Sequence, residues 1–231
     1  MISVDELLSM DEEERYEYVF IHAKDNPEYL KILLQSPKWT FSYICNMLKH
    51  ERWPEGEKTI LKNPEYIIDY AYAVIKGRWP EGEEVLLKNG NVQWLCKYAK
   101  NIIGGRWREA EEYIKKDSYY AGMYAVNIIE DRWREAEETI INGDIFWASY
   151  YATNILNKRL PEIEDRLIEN PNWAFRYWSH FFSEPWEKLE KGILKFDLGV
   201  LEKYVERLQK LGYKVKLLTT FNKKDVIDED L

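Results

Sequence analysis

Few side chains in this chain could do chemistry, and most of them stand alone. The three histidines, His22, His50 and His180, are far apart and match no HExxH or other metal spacing. The two cysteines, Cys45 and Cys96, sit in apolar stretches without CxxC or His spacing. That fits a reducing compartment and no disulfide framework. No GxSxG, Walker loop or GxGxxG occurs, and Gly104-Gly105 reads as a linker. Carboxylate pairs such as Glu55 and Glu57 exist, but they recur along the chain, and a catalytic pair is normally unique. The expectation is a protein that is not an enzyme, with no catalytic residue, no metal ligands and no cofactor.

What recurs is a combination of arginine, tryptophan and glutamate. Arg-Trp appears at Arg52-Trp53, Arg78-Trp79, Arg106-Trp107 and Arg132-Trp133, at spacings of 26, 28 and 26 residues. Degenerate copies follow at Arg159-Leu160 and Pro185-Trp186. Behind each pair comes an acidic pattern such as Pro54-Glu55-Gly56-Glu57 or Arg108-Glu109-Ala110-Glu111. Further along, an aromatic residue (Trp39, Tyr66, Trp94, Tyr120, Trp147, Trp173) is followed four residues later by Tyr43, Tyr70, Tyr98, Tyr124, Tyr151 and Tyr177. Then come Asn46, Ala73, Asn101, Asn127, Asn154 and His180, and after each of these two apolar residues.

Each copy reads as two helices. Pro with Glu beside it opens a short helix A, about Pro54 to Lys62 in one copy. A turn such as Asn63-Pro64 or Gly143-Asp144 ends it. Helix B follows, about Glu65 to Lys76, with its columns on one stripe of helical period. Units too short to bury their own faces must stack. The fold class is therefore all-α: an α-solenoid of about six to seven helix-hairpin repeats of 26–28 residues, with a short extended C-terminal segment. Helix packing distances make it a rod of roughly 60–70 Å.

The Arg-Trp-Pro-Glu-x-Glu unit followed by Trp-x-x-x-Tyr-Ala and an Ile pair resembles short helical repeats of uncharacterised phage and viral proteins. It is more distantly similar to leucine-rich-repeat-variant and HEAT-like repeats. The resemblance spans roughly residues 36–195. It implies the fold and a viral origin, but no reaction.

The repeated columns are expected to serve stacking. The rings could stack bases, but packing between units explains a ring in every copy better. Each Arg should pair with the Glu five residues on, from Arg52–Glu57 to Arg159–Glu164. Helix A lacks a capping side chain, since Trp or Leu precedes its first residue, so the Asn column is expected to hydrogen-bond the adjacent linker or helix start. Departures from the repeat are where binding would show. In the sixth copy Trp178 stands where Ala71, Ala99, Ala125 and Ala152 stand elsewhere, and His180 replaces Asn. Arg176 and His180, four apart, share a helix face. Phe175, Arg176, Trp178 and His180 are the candidate binding residues, and a capping role for the rings is the competing reading.

Charge sharpens this. Of the net −8, residues 1–25 carry −6 and residues 222–231 carry −2, leaving the body neutral. A neutral body argues against a groove for nucleic acid. No leader pattern or apolar span is present, so a cytoplasmic protein without a membrane segment is expected. The reading divides the chain into an acidic N-terminal cap (1–25), the repeats (26–195), and a C-terminal region (196–231). That last region holds a helix from about Phe196 to Lys210, a stop at Gly212 and a strand-like stretch at 213–221. The function expected is a non-enzymatic protein-binding scaffold whose partner is another protein, of host or virus. The alternatives are a nucleic-acid-binding solenoid and a small-ligand binder with its pocket at 173–182.

Overall fold

The computed structural model describes residues 2–196 and 198–215, and its description is all-helical. Sixteen α-helices occur among the described residues and no strand does. The chain forms two compact units, Met1–Ile129 and Glu130–Leu231. In the first, hairpins follow one another as Pro27–Leu33 with Pro37–Asn46, Pro54–Ile60 with Pro64–Tyr70, Pro80–Asn89 with Val92–Tyr98, and Arg108–Ile114 with Ser118–Tyr124. Val4–Ser9, which starts at a Ser3–Glu6 capping box, and Glu12–His22, capped by Asp11, precede them. In the second unit the hairpins are Glu137–Asn142 with Ile145–Tyr150, Pro161–Leu167 with Pro171–Phe181, and Glu187–Phe196 with Leu198–Lys210. These are helical repeats of the expected kind.

The two helices of a repeat start differently. Helix B starts at side-chain caps: Asn63, Asn91, Asp117, Asp144 and Asn170 each accept a backbone N–H from the first turn. The Asn-Pro and Gly-Asp turns of the sequence are therefore also helix starts. Helix A has no side-chain cap; Trp53, Trp79, Trp107 and Leu160 stand at the cap position in extended backbone.

A tyrosine supplies what the cap position lacks. The Trp79 N–H donates to Tyr98 Oη at 2.8 Å, and Tyr98 Oη donates on to Glu83 at 2.9 Å. Glu83 in turn receives the Arg78 guanidinium through two bonds of 2.8 and 2.7 Å. The backbone N–H bond recurs from Trp107 to Tyr124, Trp133 to Tyr151 and Leu160 to Tyr177. The bidentate ion pair recurs at Arg52–Glu57, Arg106–Glu111, Arg132–Glu137 and Arg159–Glu164. Those pairs are as the spacing predicted.

The asparagines do not serve the helix start. Asn101, Asn127 and Asn154 are exposed, and Asn46 gives its amide to the Ser42 carbonyl of its own helix at 2.8 Å. The tyrosine hydroxyl is already in place, so the helix start needs no amide. The backbone moves the Asn column as well. Helix B does not run through as α-helix but ends in a π turn at Ala71–Ile75, Ala99–Ile103, Ala125–Ile129 and Tyr151–Leu156. A π turn holds about one residue more than an α turn, so positions inside it lag the α-helical stripe by tens of degrees. All four turns are followed by a left-handed residue, Lys76, Gly104, Glu130 or Asn157, and the N–H groups of Lys76, Gly104 and Asn157 reach back to Ala71, Ala99 and Ala152.

The core is built from the aromatic rings. Trp79, Trp107 and Trp133 are 1% exposed, and Tyr70, Tyr98, Tyr124 and Tyr151 are fully buried. The tryptophans need a small neighbour three residues on. A Cβ on Gly82 would sit 2.7 Å from Ile67 and 2.8 Å from the Trp79 ring. Where Leu160 replaces Trp, Ile163 fills the space that Gly or Ala leaves elsewhere.

The C-terminal region is more regular than its sequence suggests. Leu198–Lys210 acts as helix B of a last repeat. Tyr204 Oη accepts the Trp186 N–H at 2.9 Å and donates to Glu190 at 2.6 Å. Gly212 stops this helix with φ of 95°. Tyr213–Val215 has no regular structure, and the rest of the strand-like stretch, 216–221, and the acidic tail lie outside the described residues.

Candidate functional site

The four candidate residues lie on Pro171–Phe181 of the second unit, and the fold sends them in different directions. Trp178 is fully buried. Its Nε1 donates to the Glu184 carbonyl at 2.7 Å and its ring lies 4.5 Å from Tyr204. It is a core residue and cannot meet a partner directly: position 178 faces the last repeat, which takes a large ring there. Phe175 is half-buried on the same core, 5.8 Å from Trp178. Arg176 and His180 are exposed and share one face, as their spacing predicted.

Arg176 is held by rings. Its Cζ lies 4.8 Å from the Tyr150 ring centre and 5.4 Å from that of Trp173. Trp173 is fixed in turn by edge contacts to Phe146 at 4.6 Å and Tyr150 at 6.0 Å. Such contacts orient a guanidinium without consuming its N–H donors. Arg176 makes no ion pair among the described residues. Beside it, between the two B helices, is a cavity of about 120 Å³ lined by Thr153, Asn154, Trp173, Arg176 and His180 among others. His180 Nε2 lies 2.9 Å from Asn157 Oδ1, the left-handed residue that closes the neighbouring π turn. The floor includes Tyr177, whose hydroxyl burial pushes up to about 12 against the opposing Leu160 N–H bond.

Arg176 also borders an open depression of about 490 Å³ that reaches Asn170, Phe175 and Lys203. A wider one of about 580 Å³ lies over Arg132, Arg134 and Glu137. Its size does not make it the better site, because Arg132 and Glu137 satisfy each other there.

The reading from sequence missed Tyr150, Thr153 and Asn157. Tyr150 had a signal: the column three residues after the aromatic reads Ser42, Asp69, Lys97, Met123, Tyr150, Arg176, so Tyr150 departs from the polar residues and Met before it. Asn157 had none, since its role depends on the π turn. Among the described residues no group of three or more His, Cys, Asp and Glu side chains could hold a metal. The Cys96 thiol is pushed up to about 12 by burial, with Asp117 adding to it, which keeps it protonated and unreactive at neutral pH. No described helix is long and apolar enough to cross a membrane. Comparison with known proteins finds no family model, no curated relative and no solved structure that matches this chain.

Proposed function

We propose that this chain is a non-enzymatic helical-repeat scaffold that binds another protein through the B-helix face around Tyr150, Trp173, Arg176 and His180. One observation carries the reading. The recurring arginines spend their charge on a glutamate of their own repeat, whereas Arg176 is oriented by two rings and has no acidic partner. Oriented arginine beside aromatic rings is the composition of interface hot spots. The resemblance of the repeat to phage and viral proteins supports an origin there and a partner in the host cytoplasm.

Cross-linking in the natural host, followed by mass spectrometry, tests this with wild-type, Trp173→Ala and Arg176→Ala proteins. The expected result is a protein captured by the wild type and lost from both variants, with the melting temperature of Arg176→Ala unchanged. Retention by both variants would overturn the site, and nucleic-acid capture that falls steeply with salt would overturn the partner class.

A further inference from the structure

We infer that the cavity between Ile145–Tyr150 with its π turn and Pro171–Phe181 is a receptor for one carboxylate of an acidic peptide segment, and that Arg176 is the residue that grips it. This rests on the proposed protein-binding reading and names the chemistry of the partner.

The argument starts from donors and acceptors. Thr153 Oγ1 donates to the Ser149 and Tyr150 carbonyls at 3.0 and 3.2 Å, so its proton is spent within its helix. Ser149 Oγ donates to Phe146 O at 2.8 Å. Arg176 is the one Lys or Arg lining the cavity, and the exposed Asn154 amide and the Tyr150, Trp173 and His180 side chains are the further donor-bearing groups there. No Asp or Glu lines the cavity. A fixed guanidinium with its fork free matches the two oxygens of a carboxylate.

Charge and size favour a carboxylate over a phosphate monoester. The cavity offers one fixed positive charge, which balances one carboxylate, while a phosphate of charge near −2 would remain under-compensated where its water is displaced. A volume of about 120 Å³ suits a carboxyl group and its methylene better than a larger head group. Lys203 borders the open depression beyond Trp173 and Arg176, so a peptide anchored by one carboxylate finds a second cation along its path.

The equivalent position three repeats earlier differs in having an acid nearby. Lys97 occupies the Arg176 column and lies over Trp94 at 5.2 Å, as Arg176 lies over Trp173. There the neighbouring helix carries Asp69, whose carboxyl is raised by burial and only partly lowered by the charge of Lys97, with which it forms no direct ion pair among the described residues. In the second unit the corresponding residue is Tyr150, which is uncharged, and the carboxylate has to come from outside.

The test is an NMR titration of the whole chain, following the Arg176 Nε–H and Trp173 Nε1–H signals. The probes are N-acetyl-glutamate α-amide for a side-chain carboxylate, N-acetyl-glycine for a chain-terminal one, and inorganic phosphate. One or both carboxylates should shift both signals in a saturable manner, with Kd of order millimolar, as befits a single contact. The stronger of the two tells which source the site prefers. Arg176→Lys should weaken binding about tenfold by removing the fork. Tyr150→Asp should abolish it by supplying an internal carboxylate. No shift with either carboxylate, or phosphate binding more tightly than both, would overturn the inference. If the cross-linked partner is still lost from Arg176→Ala in that case, the protein-binding reading survives it.

Discussion

The same three residue types are put to opposite use in two regions of this molecule. In the first unit, Arg78, Trp79 and Tyr98 converge on Glu83 and close on one another. The guanidinium meets the carboxylate, the hydroxyl bridges carboxylate and backbone, and the indole is buried. In the second unit, Arg176 lies over the rings of Tyr150 and Trp173, which meet each other edge-on, with no carboxylate among them. Composition alone does not separate a cluster whose charge is paired from one whose charge stays unpaired. The presence or absence of one acid does, because a charge satisfied internally has nothing to offer a partner.

That contrast can be broken most forcefully in the core. Trp107→Ala, at a ring 1% exposed, should cost about 3–5 kcal/mol by denaturant unfolding. A cost near zero would mean that the tryptophan column does not hold the repeats together.

Removing one oxygen should separate the two tyrosine roles. Tyr98→Phe strands the Trp79 N–H and one Glu83 bond, at about 1–3 kcal/mol. Tyr150→Phe keeps the ring under Arg176 and should change stability by less than about 0.5 kcal/mol. Equal effects would remove the distinction between cap and platform.

Acid probes the carboxylates directly. Burial works to raise the Glu57 carboxyl, but the Arg52 and Tyr70 hydrogen bonds outweigh it and hold the group below its usual range. The Arg132 hydrogen bond does the same for Glu137 against burial. A group depressed in the folded state contributes stability above its unfolded value of 4.5 and loses it as pH falls through the folded value. The melting temperature should therefore drop below about pH 4.5, and less so in a Glu57→Gln, Glu137→Gln double variant relative to its own neutral value. An identical acid profile in both proteins would count against the ion-pair column.

Smaller gains and losses follow from the turns and the site. Lys76 closes its π turn at φ of 59°, where a side chain is strained. Lys76→Gly should stabilise by up to about 1 kcal/mol, the left-handed penalty less the entropy of glycine, and a loss on thermal unfolding would contradict that. Tyr150→Asp places a carboxylate beside Arg176 at the cost of a half-buried ring packed on Phe146 and Trp173, and should end partner capture. Capture that persists would show that the free charge of Arg176 is not what the partner reads.

The sequence by itself determined the repeats, their two-helix form and the Arg–Glu pairs. Those follow from spacing: five residues across a helix start bring the Arg and Glu together in five copies. It also placed Arg176 and His180 on one face, since four residues are one helical turn. Tertiary structure alone decided the rest. Tyr98 reaches Trp79 only because helix B folds back on helix A, so no local pattern assigned the cap to tyrosine rather than to asparagine. The π turns left no mark in an apolar periodicity read at constant pitch. Trp178 admitted two readings, a binding ring or a cap, and Tyr204 of the following repeat, 4.5 Å away, covers it and decides for the cap. Which rings are buried depends on what packs above them, and a linear pattern carries no information about the neighbour that arrives from further along the chain.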